Sequence, residues 1–357
     1  MRLDSGSRPT ASLRRAAVAL AAASASALLL VSCSGEPTST SVPAVESFVE
    51  GLDAPWSIAF HDDIALVSER DSARVLEIAD DGTTREVDVI DGVAPGGEGG
   101  LLGLAVHDGQ LYTYLTGQDE NRVERREIAG EKGDLSLGEP TTVIDGIPAA
   151  GNHNGGRIAF GPDGMLYVTT GDAGDRDSAQ DVDALSGKIL RLTPDGAVPT
   201  DNPFEGSPVY SYGHRNPQGI AWDADGAMYA SEFGQDTWDE LNVIEAGGNY
   251  GWPEVEGIAD ADDFIDPVQQ WSPGDASPSG IAVDGSDILI ANLRGERLRV
   301  VPLDDLTEST EQWVGEHGRL RDIAIGPGGT FWVLTNNTDG RGSPSEGDDR
   351  ILRLGRD

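Results

Sequence analysis

One phrase is written six times in this 357-residue chain: an Ile/Leu-Ala entry, a polar turn rich in Asp and Gly, and a short apolar exit. It reads IAFHDDIALVSE from Ile58, LAVHDGQLYTYL from Leu104 and IAFGPDGMLYVTT from Ile158. It returns as IAWDADGAMYASE from Ile220, IAVDGSDILIANL from Ile281 and IAIGPGGTFWVLT from Ile323. The starts lie 46, 54, 62, 61 and 42 residues apart. Each unit pairs two runs of alternating apolar residues across a tight turn, which is hairpin chemistry. A recurrence of this length marks a module that needs neighbours to bury its faces. Six such modules closed into a ring predict an all-β, six-bladed β-propeller, with four-stranded antiparallel blades around a central pocket.

Composition agrees with many short strands and turns: 47 glycines, 20 prolines and only 24% charged residues. No stretch after residue 40 carries a long helical stripe, which argues against a TIM barrel, a doubly wound sheet or a helical bundle. A pair of β-sandwiches is the remaining alternative, and six similar hairpins suit it less well.

Residues 1–33 read as a separate unit. Arg2, Arg8, Arg14 and Arg15 make a basic leader before the apolar run Ala16–Val31, too short for a comfortable membrane span and suited to an export signal. The run ends in Leu30-Val31-Ser32-Cys33, which resembles the lipobox of bacterial lipoproteins, where the cysteine is lipidated and becomes the new N-terminus. An ordinary secretory signal with an incidental cysteine is the alternative. The expected organisation is a signal over 1–33, a Ser/Thr/Pro-rich tether over 34–46 and a propeller over 47–357. The expected location is lipid-anchored on the outer face of the cell membrane. Cys33 is the sole cysteine, so packing, with or without a bound metal, must hold the fold in place of disulfides. Without the leader the chain has 21 Lys/Arg against 61 Asp/Glu, a formal charge of −40. Such a surface repels nucleic acid and other polyanions.

Several clusters carry candidate chemistry. His153 sits in Gly-Asn-His-Asn-Gly-Gly-Arg157 before the third repeat, and His214 in Gly-His-Arg-Asn-Pro-Gln-Gly219 before the fourth. Propeller geometry brings both loops to one mouth, where an imidazole suits general-base work. Asp172 closes the hairpin that follows His153, so carboxylate and imidazole can be neighbours; alternatively it only terminates a turn. The segment from Ser231 to Asn242, with the return Gly247–Pro253, offers carboxylates and turn carbonyls of hard-cation type, in which Asp239 and Glu240 could hold Ca²⁺. A solvated acidic loop is the alternative. Arg319 and Arg321 share a face at i and i+2, an anion clamp if that face looks inward and rim neutralisation if not. Arg294 lies nearby in the fifth repeat.

Together these residues resemble the soluble pyrroloquinoline-quinone (PQQ) dependent sugar dehydrogenases, in particular the aldose sugar dehydrogenase branch of the glucose/sorbosone dehydrogenase family. The phrases that carry the resemblance are EGGLLGLA from Glu98, NHNGGR from Asn152, GPDG from Gly161, SGKILR from Ser186 and GHRNPQG from Gly213. DELN from Asp239, GGNYGWP from Gly247 and GRLRD from Gly318 complete the set, which spans roughly residues 50–355. The resemblance implies a PQQ-dependent oxidation of an aldose at C1 to the lactone, with hydride passing to the quinone. His153 matches the general base, Asp172 its supporting acid, and Arg215 and Asn216 the residues at the quinone oxygens. Arg294, Arg319 and Arg321 match ligands of the cofactor's carboxylates. The carbonyls of Gly234 and Gln235 match the holders of its Ca²⁺, and Asp239, Glu240 and Tyr250 match a structural calcium region.

Two positions depart from the glucose-oxidising branch: Asn152 replaces an aspartate and Glu98 a glutamine, both beside the expected sugar site. Connections between repeats are modest, so the expected enzyme is an open-pocketed monomer that accepts several aldoses or oligosaccharides and passes electrons to an unidentified acceptor. Two rivals stand beside this expectation. One is a calcium-dependent propeller lactonase or other hydrolase; the other is a non-catalytic anchored propeller that binds glycans or proteins.

Overall fold

The computed structural model describes residues 45–354. The expected signal, the lipidation site Cys33 and nearly all of the tether lie outside the described residues. Strand structure begins at Glu46, one residue before the expected propeller boundary.

Six antiparallel sheets follow one another along the chain. The first blade is Pro55–His61, Ile64–Glu69, Arg74–Ile78 and Thr84–Val89. The second is Leu101–His107, Gln110–Thr116, Glu120–Ala129 and Thr141–Pro148, with a short extra pairing at Ser136–Leu137. Blades three, four and five open with Ile158–Phe160, Pro217–Trp222 and Pro278–Asp284 and have four strands each. The sixth takes Leu320–Ile325, Phe331–Thr335 and Ile351–Leu354 from the C-terminal end and Glu46–Val49 from the N-terminal end. Opposite ends of the sequence thus share one sheet, which closes the ring. Every repeated phrase falls on the inner hairpin of its blade, so the six-bladed propeller expected from the repeats is the observed fold. Among the described residues the only helical segments are two 3₁₀ turns, Arg176–Gln180 and Pro327–Gly329, and no helix is long and apolar enough to cross a membrane.

Alternation explains the packing. Apolar residues on both faces of each blade meet those of the adjacent blades, as where Trp56, Leu102, Tyr114, Val168 and Leu190 join the first three. Ring closure is stapled by Trp332, which meets Phe48 of the N-terminal strand at 5.1 Å and Phe60 of the first blade at 5.5 Å, both edge-on.

Polar groups close the axis. Arg157 donates to Asp322 (3.0 Å), Ser57 Oγ (3.1 Å) and the Gln218 carbonyl (2.9 Å) and lies 4.4 Å over the Trp56 ring. Asp322 also accepts the Ile58 amide at 2.9 Å. Gly280 has no side chain for a physical reason, since a Cβ there would stand 1.9 Å from Asp322 Oδ1. One buried ion pair therefore ties four blades at the axis and packs against the fifth at Gly280. Beyond it, Ile58–Phe60, Leu104–Val106 and Ile158–Phe160 line a cavity of about 310 Å³.

Candidate active site

Register decides which loops share the other end. Each innermost strand pairs its beginning with the end of the second strand: Pro55 with Glu69, Pro217 with Glu232, Pro278 with Asn292, Leu320 with Thr335. Inter-blade connections and second-to-third-strand loops therefore lie on one face. Five of the six innermost strands break register near this end, between Pro55 and Ser57, Leu101 and Leu104, Pro217 and Gly219, Pro278 and Ile281, and Leu320 and Asp322. Bulges re-aim side chains, and Gln218 and Arg321 sit at two of them.

His153 and Asp172 form a pair, Nδ1 to Oδ1 at 2.7 Å. His153 has left-handed backbone (φ 56°), a costly conformation for a residue with a Cβ. Two clamps hold it: its amide donates to Glu98 Oε2 (2.9 Å) and its carbonyl accepts from Ala173 (3.1 Å). A Cβ on Gly171 would lie 2.0 Å from that carbonyl, so the glycine is required. The imidazole keeps about 15% of its surface open, and its one side-chain bond among the described residues is made by Nδ1. Asp172 is fully buried, its Oδ1 also accepting from Gly174 (2.8 Å) and its Oδ2 from Trp252 Nε1 (2.9 Å). Burial works to raise its pKa, yet the imidazole and these N–H donors outweigh burial and hold it below the ordinary carboxylate value. Glu98 behaves alike: the His153 amide and Arg341, 2.9 Å from its other oxygen, overcome burial. Asn152 is exposed on the rim beside Gly174.

Arg215 borders this pair, its carbonyl accepting from the Asp172 amide at 2.8 Å. Its guanidinium donates to the Phe233 carbonyl (3.1 Å) and lies 5.4 Å from the Trp252 ring, while Nε is buried without a partner. Burial lowers its pKa against the pull of Asp172, Glu232, Glu256 and Glu98. Asn216 accepts the Gly155 amide on Oδ1 (3.0 Å), leaving Nδ2 free among the described residues. Arg319 and Arg321 do share a side: both reach Asp339, at 3.1 and 3.9 Å, and both bond Asn336. Arg321 also donates to Gln218 (2.8 Å), and burial pushes its pKa down to about 9. The loop that carries Asp339 to Arg319 also brings Arg341 to Glu98, which holds the His153 amide, so the arginine pair and the imidazole lie on the same face of the propeller. Arg294 is exposed with no partner among the described residues.

The acidic loop is built around Glu256. One carboxylate oxygen accepts the amides of Gln235, Asp236, Thr237 and Trp238 at 2.7–3.1 Å. Asp239 spends both oxygens on backbone amides, those of Gly234 (2.8 Å) and Ser277 (2.6 Å), so it pins the loop. Glu240 is buried; desolvation, then repulsion from Glu232, raises its pKa to about 8. Glu232, Glu240, Glu256, Gly234 and Tyr250 line a cavity of about 10 Å³ together with Arg215 and Trp252. The carbonyls of Gly234, Gln235 and Tyr250 accept no hydrogen bond among the described residues. Among those residues no group of three His, Cys, Asp or Glu forms a ready metal cluster, so a cation here must lean on carbonyls and Glu240.

His214 is a structural residue. It is fully buried, with Ser211 Oγ on Nε2 and Glu232 on Nδ1, both at 2.8 Å. Its position before the fourth repeat resembled that of His153, but the carboxylate from the second strand reaches inward to meet it. Sequence reasoning assigned no role to Trp252, Glu232, Glu256, Asp339 or Arg70, the last paired with Asp71 at 2.7 Å. GGNYGWP was the one signal that pointed toward Trp252.

The fold is that of a sugar dehydrogenase family. The family profile described as Glucose / Sorbosone dehydrogenase matches residues 52–352, and the chain belongs to that family. Among solved structures it is similar to the PQQ-bound aldose sugar dehydrogenase of Streptomyces coelicolor: 49% identity and TM-score 0.84 over 87% of this chain and 97% of that one. Aldose sugar dehydrogenase YliI of Escherichia coli is 30% identical over 83% of this chain and 91% of its own length. Quinoprotein glucose dehydrogenase B of Acinetobacter calcoaceticus is 32% identical over 59% of this chain and 52% of its own.

Proposed function

We propose that this protein oxidises the C1 hydroxyl of aldoses to the lactone with PQQ as cofactor. The observation that carries the reading is the His153–Asp172 pair, held at 2.7 Å in a strained loop on the face that also bears Arg215, Arg319 and Arg321. His153 takes the hydroxyl proton on Nε2, because Asp172 occupies Nδ1 and stabilises the imidazolium that forms. When bound, the quinone supplies the acceptor for the C1 hydride. Arg215 lends its guanidinium to negative charge developing opposite the sugar. The proton then leaves through the open side of the imidazole.

The residues fit such a group. A buried guanidinium with an orphaned Nε, a second with its pKa depressed and an exposed unpaired Arg294 suit a multiply anionic planar ligand. Asn216 Nδ2 adds a neutral donor. The unbonded carbonyls of Gly234, Gln235 and Tyr250, with the Glu240 carboxyl, are oxygen donors of the kind that suits Ca²⁺, which would replace the proton that burial keeps on Glu240. Asn152 and Glu98 at the rim favour tolerance of several aldoses. Equal turnover across glucose, galactose, xylose and maltose supports that tolerance, and strict selectivity for glucose removes it. The hydrolase alternative gains nothing from a gluconolactonase structure of 15% identity and TM-score 0.54, a likeness of fold alone.

Bleaching of dichlorophenolindophenol by the calcium-loaded protein and an aldose tests the reading. Bleaching only when PQQ is added supports it; bleaching independent of PQQ, or none, refutes it. We also propose lipid anchoring through Cys33 after export, for which Cys33→Ser should abolish palmitate labelling.

A further inference from the structure

We infer that Trp252 is a positioning residue of the proton-accepting pair, its indole N–H fixing the Asp172 carboxylate so that His153 presents Nε2 to the substrate. The inference rests on the oxidoreductase reading for its kinetic consequence and on this structure for its geometry.

Asp172 Oδ1 is served by His153 and by the Gly174 amide, whereas Trp252 Nε1 is the one donor to Oδ2 among the described residues. A buried carboxylate oxygen without that donor would rotate toward another partner or hold a proton. Either change loosens the bond that orients the imidazole. Trp252 is itself immobilised: its amide donates to the Gly213 carbonyl (2.9 Å) and its carbonyl accepts from Gln180 Nε2 (2.7 Å). Guanidinium groups of Arg176 (4.4 Å) and Arg215 (5.4 Å) lie over the ring. Among the side chains that fill such a slot, only an indole places a ring N–H donor there while burying an apolar face.

The charged groups around the pair are Glu98 on the His153 amide, Arg341 on Glu98, Arg215 beside Asp172 and Arg176 over the indole. All remain when Trp252 is replaced. Losing the indole donor leaves a carboxylate that attracts the shared proton more strongly, so the pair gains its proton at higher pH.

Trp252→Phe keeps a ring and deletes the donor. Expected are a fall in kcat of about 10- to 100-fold, unchanged PQQ retention, and an acid limb of kcat/KM moved to higher pH. A second readout needs no turnover. In proton NMR of the apoprotein, a low-field N–H resonance lost in His153→Gln identifies the bond to Asp172, and it should shift or broaden in Trp252→Phe. If that variant fails to fold, benzothienylalanine at position 252, which retains the shape and lacks the N–H, replaces it. A folded variant with an unmoved acid limb and an unmoved resonance overturns the inference, even if kcat and melting temperature fall. Absence of PQQ-dependent turnover in the unaltered protein would instead refute the oxidoreductase reading and leave the resonance test standing.

Discussion

In the proposed reaction, His153 is the residue on which the chemistry turns. His153→Ala removes the proton acceptor without touching the arginines, so kcat should fall by about 10²- to 10⁴-fold while PQQ still binds; steady-state kinetics and a PQQ titration check both. Arg321→Gln should act the other way. It leaves the pair intact and removes a buried charge suited to carboxylate, so PQQ dissociates faster and turnover at saturating PQQ changes less. At this scale a contact was legible where both partners sit next to a repeat. His153 and Asp172 bracket the third hairpin, and hairpin geometry alone makes them neighbours. None was legible where a partner arrives from distant sequence, as Glu232 does at His214, Trp252 at Asp172 and Asp339 at the arginine pair. Nothing local marks those contacts.

At the scale of elements, loops from different blades are sewn together on the face that bears His153. The excursion between Thr335 and Ile351 carries Asp339 to Arg319 and Arg341 to Glu98, joining the sixth blade to the connection that pins His153. The acidic loop of the fourth blade holds two carboxyls whose pKa values burial raises. In the calcium-free protein Asp239 and Glu240 keep their protons up to about pH 6 and pH 8, whereas the unfolded chain releases them near the ordinary carboxylate values. Between those limits the folded state binds more protons, so stability falls as pH rises from about 4 to about 8. Melting temperature should follow that slope without calcium. Calcium should restore it most at the upper end, where it need not displace protons, and a calcium effect independent of pH contradicts the charge argument. The strands themselves were legible from alternation, but the bulges at Ser57, Gln218 and Arg321 were not. They follow from how six inner strands crowd one axis, which no single repeat records.

Over the whole molecule, the ring rests on two devices: the N-terminal strand in the sixth blade and the Arg157–Asp322 pair at the axis. Asp322→Asn leaves Arg157 buried with its charge uncompensated and should cost about 3–5 kcal/mol in denaturant unfolding; a loss below 1 kcal/mol would mean that the axis is not held this way. Deleting Glu46–Val49 should also lower the melting temperature, because it removes the partners of Ile351–Arg353 and the ring against Trp332. The blade count was written in the sequence because each blade repeats one phrase. The axial pair was not, since Arg157 and Asp322 lie 165 residues apart in different motifs. The most direct measurement is the absorbance of PQQ on the calcium-loaded protein before and after an aldose is mixed in. Unaltered protein should bind PQQ and reduce it rapidly, and His153→Ala should bind it equally and reduce it at least a hundredfold more slowly, on the order expected for a lost general base. Equal reduction rates in the two proteins, or no binding in either, would contradict the account.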